Sequence, residues 1–236
     1  MQARILSGAA LPPLVRDSPH PPDRLYLVGE LPRGPAVAVV GTRCPTRAAA
    51  AFARQLAGEL AAAGVTVLSG GAKGIDVAAH RGALDVGGKT VVVAPSAFDR
   101  PYPAEHAEIY EEIIASGGAY VTRESPGTAA DNAKFFARNE LLVALAHALI
   151  VVEAPWRSGA RNAAKYAREL GRTVFAVPSA PWIHQGVGCV LELQLGARPL
   201  LDAREILKWL RERNLHPIEE PGARLLVVRA QLSLDF

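Results

Sequence analysis

Apolar positions along this chain follow two rhythms that alternate. Short runs of β-branched and apolar residues at 37–40, 66–68, 90–94, 119–122, 148–152 and 173–177 predict strands. Between them, apolar and polar positions mix at helical spacing over 46–63, 74–86, 104–116, 134–146 and 160–170, which predicts five helices. Gly64, Gly87-Gly88, Gly117-Gly118 and Gly171 stand just past those helix ends, where a left-handed residue commonly closes a helix. The strand runs are apolar along their whole length, with no polar face. Such strands are buried on both sides, as in a parallel sheet covered by helices. Strict alternation of strand and helix gives the fold class: α/β, a doubly wound, mostly parallel sheet with helices on both faces.

The flanks read differently. Residues 1–35 are Pro-rich, with one apolar piece at Leu25-Tyr26-Leu27-Val28, and predict a lead-in that packs on the core and supplies an edge strand. The core spans 36–201. Beyond it, 202–236 predicts a helix over 202–213, then Pro217 and Pro221, and Leu225-Leu226-Val227-Val228 fits another edge strand.

In a parallel sheet every strand-to-helix turn lies at the carboxyl edge, which is where such folds bind ligands. The first turn is Gly41-Thr42-Arg43 and the second is Ser69-Gly70-Gly71-Ala72-Lys73. Glycine removes the Cβ that would hold a ligand off the backbone, and the next helix aims free N–H groups at the same place. Later turns bring Arg157-Ser158-Gly159 and Arg161 to that edge. Lys73, Arg43, Arg157 and Arg161 are therefore expected to converge, with the hydroxyls of Thr42, Ser69 and Ser158 beside them. Such a surface suits a polyanion better than a lone phosphate. The plain alternative is that the glycines are turn punctuation and the cations a solvated face.

A second unusual stretch is Asn132-Ala133-Lys134-Phe135-Phe136-Ala137-Arg138-Asn139. Aromatics interleaved with cations grip unpaired bases and backbone together, although either Phe would serve equally as a core anchor. Asp76 and His80 stand four apart on one helix face. The helix dipole accounts for Asp76 and a buried hydrogen bond for His80, so neither is read as catalytic. Glu153, at a strand end, is expected to orient a neighbouring Arg or to accept from backbone donors.

Composition narrows the choice only slightly. The chain has 236 residues with 26 Lys and Arg against 23 Asp and Glu, a net charge of +3 that permits nucleic acid without requiring it. The two cysteines, Cys44 and Cys189, have no metal-ligand spacing and no disulfide framework, which fits a reducing cytoplasm. No apolar run has the length of a membrane span, and no secretory leader pattern opens the chain. The dinucleotide pattern GxGxxG and the Walker pattern GxxxxGK[ST] are both missing. No nucleophile–base spacing or metal cluster stands out. The expectation is a binding protein with no catalytic residue, no metal and no cofactor.

From about Arg24 to Leu201, these residues in this order resemble the DNA-processing protein A family (DprA, also called Smf). The matching pieces are Val39 to Arg43 with Pro45-Thr46, Ser69 to Asp76 with Ala79-His80, Tyr102-Pro103, Phe136-Ala137-Arg138-Asn139, Val151 to Ala154, Ser158-Gly159, and Phe175 to Pro178. The resemblance implies a Rossmann-like core without the C-terminal winged helix, and a non-enzymatic binder of single-stranded DNA that protects incoming strands in natural transformation. It implies loading of a RecA-type recombinase and a homodimer formed by the Rossmann-like domain. The implied DNA contacts are Gly41, Thr42, Arg43, Ser69, Gly70, Gly71, Lys73, Lys134, Phe136, Arg138, Asn139, Ser158 and Gly159. Five positions depart from the family pattern. Glu140 replaces a second Arg and is expected to pair with Arg138, Asn162-Ala163 replace a Thr, Ser179 a Gly and Val190 an Asn. The rival reading is a nucleotide sensor or a nucleotide-processing enzyme on a related Rossmann-like fold. Related phosphoribohydrolases carry Pro-Gly-Gly-x-Gly-Thr, which this chain lacks.

Overall fold

The computed structural model describes residues 3–180 and 182–215. The strand expected at Leu225–Val228, with Pro217 and Pro221, lies outside them.

The strands are β1 (Arg4–Ser7), β2 (Arg24–Gly29), β3 (Ala36–Val40), β4 (Thr66–Ser69), β5 (Thr90–Ala94), β6 (Ala119–Thr122), β7 (Ala148–Val151), β8 (Thr173–Ala176) and β9 (Arg198–Pro199). They form one sheet in the order β1-β2-β6-β5-β4-β3-β7-β8-β9. From β6 to β9 every neighbouring pair is parallel. The lead-in joins the same sheet as two antiparallel strands, β1 on β2 and β2 on β6.

The helices are α1 (Pro13–Arg16), α2 (Arg47–Ala62), α3 (Ile75–Asp85), α4 (Ala107–Ala115), α5 (Asn132–Ala144), α6 (Gly159–Glu169), α7 (Val187–Gln194) and α8 (Ala203–Arg211). Their starts are set by local chemistry. Thr46, Asp131, Ser158 and Asp202 each accept a backbone N–H from the first turn of α2, α5, α6 and α8. One face of the sheet packs α5, α6 and α7 against Ala38, Val40, Val93, Leu149 and Val151. The other packs α2, α3 and α8 against Val37, Val39, Val67, Ile150 and Phe175. Successive residues of one strand thus serve opposite cores, which is why these runs contain no polar face.

Beyond the last predicted strand of the core, β9 pairs with β8 at Phe175↔Arg198 and Ala176↔Pro199. The apolar stretch from Val187 onward is helix α7, which buries Cys189 in the core and leaves Val187, Val190, Leu191 and Leu193 half-buried.

The strand order also locates the site. The chain steps outward from β3 through β4 and β5 to β6, then returns to place β7 on the other side of β3. Helix α2 leaves β3 toward one face and α6 leaves β7 toward the other. The loops therefore part between β3 and β7 and leave a crevice at the carboxyl edge.

Candidate functional site

A cavity of about 300 Å³ occupies that switch point. Gly41, Thr42 and Arg43 line it from the turn after β3, Ala72 from the β4–α3 turn and Asp76 from the first turn of α3. Phe135, Arg138 and Asn139 reach it from α5, and Pro155, Arg157, Ser158 and Gly159 from the β7–α6 turn.

The first turn is fixed by close backbone approach. A Cβ on Gly41 would stand 2.4 Å from Ile75 Cγ1 and 2.9 Å from the Glu153 carbonyl, so only glycine fits. Thr42 N–H donates to the Glu153 carbonyl (2.7 Å), and Ile75 N–H donates to the Thr42 carbonyl (3.2 Å). The Glu153 carboxylate accepts the Thr46 N–H (2.8 Å) and the Thr46 hydroxyl (2.9 Å). Glu153 thereby holds the whole 42–46 loop. Arg43 is exposed, makes no ion pair among the described residues, and lies with Cζ 5.0 Å from the centre of the Phe135 ring. Phe135 in turn meets Tyr102 edge-on at 5.3 Å.

The second turn works differently from the sequence expectation. Its glycines make room for protein side chains. A Cβ on Gly70 would fall 1.2 Å from Arg138 Nη1, and one on Gly71, at φ +72, would fall 2.5 Å from the Tyr110 hydroxyl. The Ala72 N–H points inward to the Asp76 carboxylate at 3.3 Å. Ser69 is fully buried, and its hydroxyl donates to the Val39 carbonyl (2.6 Å). Lys73 stands outside the cavity, paired with Glu105 at 2.5 Å on an exposed surface.

Arg138 and Asp76 form the charged floor of the crevice. Burial pushes the Asp76 carboxyl up, and Arg138 and the backbone donors pull it partly back. Burial pushes the Arg138 guanidinium down, opposed chiefly by Asp76. Arg138 Nε has no hydrogen-bond partner among the described residues. Asn139 Nδ2 donates to the Gly159 carbonyl (3.2 Å) and to Asn162 Oδ1 (3.0 Å), tying α5 to the start of α6. A Cβ on Gly159 would meet nothing within 4 Å, so packing does not require glycine there.

Other expected residues lie apart. Arg161 does not join the converging cations; it pairs with the buried Glu192 at 2.8 Å, as does Arg168, and so fastens α6 to α7. Glu140 pairs with Arg123 (3.1 Å), which follows β6, and not with Arg138. Lys134 pairs with Asp131, and Phe136 is 53 % exposed at the head of α5. His80 is fully buried with Nδ1 2.8 Å from the Thr90 hydroxyl, which itself donates to the Val67 carbonyl. Thr90 can therefore only accept, so His80 carries its proton on Nδ1. Burial holds the imidazole neutral, down to about 3. Sequence reading missed Phe135 as the partner of Arg43 and Asp76 as the partner of Arg138. Nothing local signals either pair, since strand order alone brings the turn after β3 and the start of α3 beside α5.

The fold and site define a doubly wound α/β protein with a basic, partly aromatic crevice at its switch point. This chain belongs to the family of the DNA recombination-mediator protein A, which its residues 3–211 match. It is 45 % identical over 175 residues to the putative DNA processing protein DprA of Mycobacterium tuberculosis, covering 74 % of this chain and 45 % of that protein. The fold matches the solved structure of DNA processing protein A from Streptococcus pneumoniae at a TM-score of 0.82 and 30 % identity, over 88 % of this chain and 74 % of that one. It also matches DNA processing protein A from Helicobacter pylori, in a structure concerned with that protein's single-stranded DNA binding mode. There the TM-score is 0.79 and the identity 28 %, over 90 % of this chain and 97 % of that one. The chain spans about half the length of the curated relatives it matches first. No helix among the described residues is long and apolar enough to cross a membrane.

Proposed function

We propose that this chain binds single-stranded DNA at the β3–β7 crevice and serves DNA processing in recombination and transformation. The observation that carries the reading is the joint placement of Arg43 on Phe135 with Arg157 and the start of α6 around one cavity. Exposed cations hold phosphates, the first-turn N–H groups of α6 add donors, and the open space beside Gly159 lets a backbone approach. Phe136 offers a neighbouring face to a base. Gly41, Thr42, Arg138, Asn139 and Ser158 complete the contact set, while Ser69, Gly70 and Gly71 shape it from beneath. Lys73 and Lys134 act from the rim.

The chain works as a binder and not as an enzyme. Its two best-placed titratable groups are already engaged, Asp76 with Arg138 and His80 with Thr90. As a recombination mediator it delivers strands to a RecA-type recombinase in the cytoplasm, and the Rossmann-like core, 36–201, forms a homodimer. Two crevices in one dimer raise the affinity for a strand long enough to reach both.

Fluorescence polarisation tests the reading. Labelled oligo(dT) should bind in preference to duplex and to mononucleotides, with affinity falling as salt rises. Equal affinity for duplex and single strand would refute it, and preference for a mononucleotide would favour a ligand sensor. A monomer in light scattering at micromolar concentration would refute the dimer.

A further inference from the structure

We propose that Trp156 and Trp182 form a base-stacking step beside the crevice, over which a single strand continues after it leaves the phosphate site. The proposal rests on the single-stranded DNA reading above. Trp156 is 68 % exposed and Trp182 80 % exposed, the two most exposed large apolar side chains among the described residues. The third tryptophan, Trp209, is 3 % exposed and belongs to the core. A lone exposed apolar residue is ordinary. Both indoles stand on the loops that follow β7 and β8, neighbouring parallel strands, so both loops leave the carboxyl end of the sheet, where the crevice lies.

The Trp156 loop is held firmly. Arg161 Nη1 donates to the Trp156 carbonyl at 2.9 Å, and Arg161 is itself anchored on buried Glu192. Gly188 N–H donates to the Ala154 carbonyl at 2.7 Å, which bolts this loop to the start of α7. The indole is thus presented on a fixed backbone, and only its side-chain freedom remains to be lost on contact. Pro155 and Arg157 on either side of Trp156 both line the crevice. Arg157 is exposed and makes no ion pair among the described residues. A free cation next to an exposed indole matches what a single strand offers, a phosphate next to an unpaired base. That charge favours a polyanion over an apolar protein surface as the occupant.

Intrinsic fluorescence reads the step directly. Unlabelled oligo(dT) should quench indole emission with the same midpoint that polarisation gives for the labelled strand. Trp156→Leu should weaken binding of a long oligonucleotide by roughly five- to a hundredfold, and Trp156→Phe should restore most of it by keeping an aromatic face. Trp182→Leu should act in the same direction. All three should melt like the parent, because the side chains are exposed. Parent affinity in both leucine variants, with no quench on a strand that polarisation shows to be bound, overturns the step and leaves the crevice reading intact. No binding of oligo(dT) to the parent protein at low salt overturns both. Lost binding accompanied by dissociation of an oligomer in light scattering assigns the indoles to a protein interface and overturns the step.

Discussion

The guanidinium of Arg138 stands 3.8 Å from the carboxylate of Asp76, and both side chains are 7 % exposed. Each is the chief charge that compensates the other against burial. Gly70 leaves the space that the guanidinium occupies. The pair joins α3 to α5 under the crevice, so the cationic floor and its counter-charge form one unit.

Removing one member strands the other. Asp76→Ala and Arg138→Ala should each cost about 3–5 kcal/mol of stability, because a buried charge loses its partner. The double variant should cost clearly less than the sum of the two. Urea unfolding of the four proteins gives the cycle, and strict additivity would show that the two charges do not interact.

Cations on the crevice should matter more than those beside it. Arg43→Ala and Arg157→Ala should each weaken oligo(dT) binding and lower the slope of log affinity against log salt by about 0.7, one phosphate contact on a single strand. Lys73→Ala should act less, since Lys73 stands outside the cavity and is paired with Glu105. Polarisation titrations across a salt series decide this. A variant with parent melting and parent slope removes that residue from the site.

His80 gives the fold an acid sensitivity of known sign. Its folded pKa is depressed by burial to about 3, against about 6.5 for a free imidazole. Between those values the unfolded chain takes up a proton that the native state refuses. The stabilisation is therefore complete above pH ~6.5 and is lost progressively as pH falls toward 3. His80→Asn keeps a donor to Thr90 and removes the titration. The difference in unfolding free energy, parent minus variant, should fall on acidification by up to about 1.4 kcal/mol per pH unit. A difference that stays flat from pH 7 to pH 4 would contradict the buried neutral imidazole.

No turnover of nucleotides is expected. Nucleoside monophosphates incubated with the protein should be recovered intact by chromatography. Release of free base that disappears in Glu153→Gln would identify a hydrolase, although Glu153 here is occupied in holding Thr46.

Much of this was legible along the chain. Unbroken apolar runs separated by helical spacing determined a parallel sheet with two covered faces, because a strand buried on both sides has no solvent face for charged residues and admits a hydroxyl only where it is hydrogen-bonded, as at Ser69 and Thr90. Gly41 was legible as a tight turn at a strand end, and Glu153 as a residue that orients an Arg or accepts from backbone donors, of which the structure shows the second. Strand order was not encoded locally. It alone decided that Asp76 meets Arg138, that Phe135 lies under Arg43, that Arg161 turns away to Glu192, and that Glu140 reaches Arg123. It also placed β9 outside β8. Periodicity is a property of neighbours in sequence, and a residue's pattern shows whether it is buried. Which distant side chain it meets depends on how the sheet is threaded, and only the tertiary structure carries that.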